Sequence, residues 1–283
     1  MSAGVLFDAP GPATAARHRI YTIVSLIAVA GMVGYVIWRL YDTEQLTYEK
    51  WEPFLTPKYV RALLVEGLLK TLQMAATAVV LAVAVGGLLG VGKLSDHGWV
   101  RWPCWAFVEF FRAVPVLLLM IFSWFLIGIE WSGASYWGVV TALALYNGAV
   151  LAEVFRAGVL AVPKGQSEAA YAVGMRKSQV MNIVLLPQAV KIMLPAILSQ
   201  CVVVLKDTAL GYAILAPGLT EVGKRIFREF GNHVPTMIVI AFLYIIVNLI
   251  LTWIATWVQK KFVGEKKVLE VSMTAGLDTG RAV

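Results

Sequence analysis

Long uncharged apolar stretches recur along this chain, and no other feature limits its possible folds so sharply. A helix rises about 1.5 Å per residue, so about 20 apolar residues cross a hydrocarbon core of about 30 Å. Six largely apolar stretches, several with a few charges inside their bounds, meet or approach that length: Ile20 to Leu40, Thr71 to Gly92, Cys104 to Ile129, whose clean part begins after Arg112, Ser132 to Ala157, Gln188 to Leu215 and His233 to Val258. Of the 283 residues, 59% are hydrophobic and 14% charged, whereas soluble domains run at roughly 45–50% and a quarter. A soluble fold is excluded. The expected class is an all-α integral membrane protein with six transmembrane helices. No small-residue cleavage motif follows the first stretch, which closes on Trp38-Arg39, so it reads as a retained helix and not a removed signal. Cys104 and Cys201 have neither CxxC nor histidine spacing, which gives no support to a zinc site or a disulfide framework.

A net charge of +7 would suit nucleic acid, but the spans explain it better. With the N-terminus inside, 15 of the 24 Lys and Arg fall on the inner side and nine outside, where the loop from Asp42 to Lys70 also carries five acids. The positive-inside rule then places both termini in the cytoplasm, and no nucleic-acid partner is expected. Two shorter segments are amphipathic. After Thr56-Pro57, the charged residues Lys58, Arg61, Glu66 and Lys70 alternate with leucines, reading as a helix on the outer surface before the chain turns in. A second external helix follows Pro217-Gly218, with Glu221, Lys224 and Arg225 set against Val222 and Ile226. One decoy needs removing: Gly87 to Lys93 matches the start of a phosphate-binding loop, yet Leu94 replaces the hydroxyl residue and the glycines sit inside an apolar helix. Gly86 and Gly90 read instead as a close helix contact.

The largest inner loop, from about 160 to 187, contains Glu168-Ala169-Ala170, then three residues, Gly174, then nine residues, then Val184-Leu185-Leu186-Pro187. The residues alone indicate two short helices, the first beginning near Ser167, a break at Gly174, and a second from Ser178 to Leu186 that Pro187 helps to close. This loop resembles the EAA motif of bacterial ABC importer permeases. Glu109 to Pro115, Glu153 to Gly158, Lys164-Gly165-Gln166 and Lys206-Asp207-Thr208-Ala209-Leu210 look like the polar amino acid family of type I importers. The whole is similar to the glutamate permease subunits of actinobacterial uptake systems. Val184 and Ala209 depart from the usual Ile and Ser.

The resemblance implies a permease domain over 54–258 with a five-helix core and its coupling loop at 160–187. Outside it lie a cytosolic segment, 1–19, an extra N-terminal helix with its external loop, 20–53, and a basic cytosolic tail, 259–283. It further implies a bacterial plasma-membrane importer in which this chain pairs with a sister permease. Two cytosolic ATPases would bind ATP and magnesium, and an external solute-binding protein would deliver a polar amino acid, with no cofactor on this chain. Glu168, Ala169 and Gly174 would then couple to the ATPase, flanked by Arg176 and Lys177.

Charges within spans are expensive and point to function. Only fourteen uncharged residues separate Lys191 from Lys206, about 21 Å of helix, so Lys206, Asp207 and Thr208 are expected at membrane depth, in the pathway or a gate. Asn147, deep in the fourth span, and Glu153 are further pathway candidates. An interhelical hydrogen bond is the equal alternative for Asn147, and Glu109 with Arg112 and Glu153 with Arg156 also read as structural pairs three residues apart. A protein that works alone, as a secondary transporter or membrane enzyme, is the competing class. It has little support: no inverted duplication, HExxH or GxSxG is visible.

Overall fold

A computed structural model describes residues 12–128 and 130–263. Most of the tail expected at 259–283, and residues 1–11, lie outside the described residues. The elements are helix α1 (Pro12–Asp42), helical turns at 48–54, α2 (Pro57–Lys93), α3 (Gly98–Ala113), α4 (Val116–Ile127), α5 (Ala134–Leu160), α6 (Lys164–Ala172), α7 (Lys177–Ile214), α8 (Leu219–Phe230) and α9 (His233–Val263). No strand occurs among the described residues.

Three sequence expectations are corrected. The third span is not one helix, because α3 and α4 meet at 107°. Pro115 is the cause: its ring forces Val114 into extended backbone (φ −82°, ψ 131°) and so ends α3. Ile129, the expected end of that span, lies outside the described residues. The outer amphipathic segment does not lie apart from the second span either. With no proline after Pro57 to stop it, the helix continues from Pro57 to Lys93, changing register through a π-helical stretch at Ala62–Leu69. Likewise Pro187 closes nothing. It sits in the first turn of the α-helical stretch Leu186–Asp207, just after a π-helical stretch at Val180–Leu185, where its missing N–H is least costly.

Close contacts fix the helix directions. A Cβ on Gly86 would lie 2.7 Å from Leu151 Cβ and 3.0 Å from the Gly148 carbonyl. On Gly90 it would meet Phe155 Cβ at 2.7 Å. Only glycine permits this approach, so the apparent phosphate-binding loop is a packing seam. Because Val85 meets Gly148 and Gly90 meets Phe155, α2 and α5 run parallel. The chain between them must therefore return to its starting face, and the broken α3–α4 pair makes that crossing. Among the described residues, five helices, or six crossings with the bent pair taken as one, are long and apolar enough to span a bilayer.

Gly158 against Met193 and Gly138 against Ile214 set α7 antiparallel to α5. Met74, Ala78, Met120, Val139, Leu143, Val204 and Leu205 form the central core. At one end, α8 packs on the N-terminal part of α2 through Leu63, Leu219, Val222 and Ile226. The Arg225–Glu66 pair at 3.0 Å and Tyr59 donating to Glu229 at 2.7 Å complete that contact. The opposite end carries Lys93, Arg156, Lys164, Arg176, Lys177, Lys260 and Lys261. The α1 span has none of its residues buried against the bundle, as suits a helix whose solvent is lipid.

Candidate functional site

The loop after α5 is seated by apolar contacts and otherwise open. Val159, Val162, Ala189 and Met193 form a small core beneath it, joined by Phe155, Met181 and Leu185. Ala170 and Val180 are buried as anchors. Glu168 and Ala169 face outward, and Glu168 has no side-chain partner among the described residues. Tyr171, Val173 and Ile183 are exposed beside them, Val173 by 78%. Gly174 adopts φ +82° with nothing within 4 Å of a Cβ, so it serves as a sharp reversal and not as a packing contact. Its N–H donates to the Tyr171 carbonyl at 2.9 Å, and that of Met175 to Ala170 at 3.2 Å. The Arg176 N–H donates to Gln179 Oε1 at 2.8 Å, opening the second helix. Lys177 pairs with Asp96 in the α2–α3 loop. That hydrogen bond holds the Asp96 carboxyl below the usual carboxylate range. The loop is thus an exposed, partly apolar platform tied to its neighbour by an ion pair.

The charged run at the far end of α7 divides as adjacency on a helix requires. Lys206 lines a cavity of about 490 Å³ between α7 and α9, with Tyr244, Asn248 and Thr252 opposite. Asp207 is half-buried elsewhere. Among the described residues, neither makes a side-chain hydrogen bond or a cross-helix ion pair. Thr208 is buried and donates to the Leu205 carbonyl at 2.6 Å. The Asn248 amide donates to the Tyr244 carbonyl, which leaves its own oxygen buried and unpaired.

Asn147 is fully buried and lies apart from that cavity. It donates to the Leu143 carbonyl at 2.9 Å and accepts from Gln200 Nε2 at 2.5 Å, so the interhelical bond is formed. Glu153 bonds Arg156 at 2.9 Å and also Lys93. Lys93 lies 3.6 Å from Glu109, which in turn is 3.7 Å from Arg112. The i,i+3 pairs are therefore joined across three helices by Lys93, the residue just past the expected end of the second span. Carboxylates on two neighbouring spans were the signal that such a cation was needed. Thr71 was also missed: buried in α2, it accepts the Leu219 N–H at 2.9 Å and so tethers the start of α8. No local pattern marks that role.

Residues 63–264 match the family described as "Binding-protein-dependent transport system inner membrane component". The glutamate transport system permease protein GluD of Corynebacterium glutamicum is 39% identical over 221 residues, covering 77% of this chain and 81% of that one. The arginine transport system permease protein ArtQ of Bacillus subtilis is 31% identical, over 70% and 91%. Among solved structures, an amino acid ABC transporter crystallised with histidines superposes with a TM-score of 0.68 at 28% identity, over 74% of this chain and 98% of that one. The MetNI methionine transporter superposes at 0.63 and 21% identity, over 71% and 96%, and speaks for the fold alone. With a broken third crossing, an exposed loop carrying Glu168 and Gly174, and this likeness over most of its length, the chain belongs to the family of binding-protein-dependent transport system inner membrane components, the permease components of ABC importers.

Proposed function

We propose that this chain is the permease subunit of an importer for glutamate or a closely related polar amino acid, carrying no ATPase site of its own. The observation that carries the substrate is the 39% identity to a glutamate permease. In this reading both termini are cytoplasmic, since the end that bears the coupling loop also collects the basic residues. Two permeases, two ATPases holding ATP and magnesium, and an external solute-binding protein make up the working complex. Glu168, Ala169 and Gly174, with Arg176 and Lys177 beside them, present the docking surface, and the exposed Tyr171 and Val173 are the apolar part a partner would cover. Lys206, Asp207 and Thr208 contribute to the pathway or its gate: a zwitterion with an acidic side chain needs a cation at membrane depth, and Lys206 offers one in a cavity with hydroxyl and amide neighbours. Asn147 and Glu153 act by holding helices together around that path.

Reconstitution of the complete complex tests this. Glutamate uptake and substrate-stimulated ATP hydrolysis should both collapse in Lys206→Met, whereas Thr208→Ala should be milder, losing one neutral hydrogen bond worth about 0.5–1.5 kcal/mol. Normal values of both in a Lys206→Met, Asp207→Leu double variant would remove the pathway assignment. Cysteines introduced at Thr47 should label from outside and at Gly165 only after permeabilisation.

A further inference from the structure

A second concentration of charge lies at the basic end of the bundle, where α2, α3 and α5 meet. A cavity of about 640 Å³ opens there between Lys93, Arg101 and Arg156, the carboxylates Glu109 and Glu153, and the indoles Trp102 and Trp105. The two carboxylates are already engaged. Glu153 is held by Lys93 and Arg156, and Glu109 lies within 3.6 Å of Lys93 and 3.7 Å of Arg112. Arg101 forms no ion pair among the described residues, although Asp96 is near enough to feel its charge, so three cations line the cavity against two anions. Arg156 uses its Nε on Glu153, leaving the donors on its terminal nitrogens free to turn into the cavity.

The aromatic side of the cavity says what kind of anion would come. Trp102 and Trp105 are 63% and 47% exposed, and their rings meet edge to face at 5.9 Å. Two outward-facing indoles beside a cluster of cations at the basic end of spanning helices have the character of a bilayer interface, where tryptophan settles at headgroup depth. A water-soluble anion would need the cations alone, whereas these indoles also offer apolar surface to a glycerol backbone and the first methylenes of acyl chains. Basic pockets between transmembrane helices on the cytoplasmic side are suited to phosphate headgroups for the same reasons.

We propose that this cavity holds the phosphate of an anionic phospholipid in the leaflet on the coupling-loop side. Arg101 and Arg156 donate charge-assisted hydrogen bonds to the phosphate, and Trp102 and Trp105 cover the glycerol region. The bound lipid braces the Lys93–Glu153–Glu109 junction against the α3 helix.

Native mass spectrometry of the full chain, released from bilayers of phosphatidylglycerol and phosphatidylcholine, provides the test. Arg101 is exposed and unpaired, so Arg101→Gln should fold normally. It should retain the anionic adduct about fivefold less than the parent, the effect of one cation near an anionic surface, with phosphatidylcholine adducts unchanged. Lys261→Gln removes a charge from the same end outside the cavity and should retain the adduct fully. Equal retention in Arg101→Gln, or equal loss in Lys261→Gln, overturns the site. Displacement of the adduct by excess inorganic phosphate would assign the cavity to a free anion and overturn the lipid.

Discussion

Replacing Gly174 by valine should weaken coupling several-fold at most without preventing insertion, and the structure gives the size of the effect. Because φ is +82° and no atom lies within 4 Å of a Cβ there, the whole cost is in the backbone. A side chain in the left-handed region costs about 1–2 kcal/mol, which weights against the native turn by roughly 5- to 30-fold. Two hydrogen bonds hold the turn, from Gly174 to Tyr171 and from Met175 to Ala170. At about 0.5–1.5 kcal/mol each, they are of the same size as that cost, so valine leaves the native and displaced loop comparably populated. Asparagine tolerates this region and should retain most of the function. The assay is uptake and substrate-stimulated ATP hydrolysis in proteoliposomes holding the complete complex, normalised to permease in the membrane. If valine and asparagine are equally impaired, the requirement is for space against a partner and not for φ, and the backbone argument fails. If valine works normally, Gly174 is not part of coupling.

Gly86→Val should lower the melting temperature of the purified permease by the equivalent of about 1–3 kcal/mol of overpacking, since its Cβ would collide with Leu151; an unchanged transition would mean that the α2–α5 seam is loose. A double-mutant cycle between Asn147→Leu and Gln200→Leu should show a coupling energy of about 0.6 kcal/mol, with 1.7 as the upper range for bonds between membrane helices, and additive losses would deny the bond. Asp96 has its carboxyl pKa lowered by Lys177, so this pair's contribution is complete above the ordinary aspartate value of about 3.9 and is lost as pH falls through the lowered one. Protease protection of the 160–187 loop should therefore be flat from neutral to mildly acidic pH and reduced at all of these pH values in Asp96→Asn; a protection step between pH 5 and 8 would contradict the pairing.

Periodicity and apolar length were enough to locate the spans, because in lipid every backbone group must be satisfied within its own helix. The path of the chain between Cys104 and Ile129 was not legible in that way. Apart from Glu109 and Arg112 its composition is apolar on both sides of the break, and only the steric demand of Pro115 on Val114 reveals the bend. Pro187 misled in the opposite direction, since a proline suits the first turn of a helix as well as its end. At the candidate site, Glu168 and Gly174 stood out by spacing. Lys93 and Thr71 did not, because their partners, Glu153 and Leu219, are 60 and 148 residues away, and nothing local records a contact of that range.

The seam between α2 and α5 has a mechanical meaning. Helix α5 runs unbroken over 27 residues, about 40 Å, from the end of the bundle that holds α8 to the start of the 160–187 loop. Glycines lock it to a parallel helix whose own N-terminal extension carries α8. Close-packed surfaces of this kind shift between discrete fits and resist gradual shear. On the proposed docking at that loop, the two rods would act as one stiff lever, so that a displacement imposed at one face of the membrane would arrive at the other as tilt, with little lost to bending on the way.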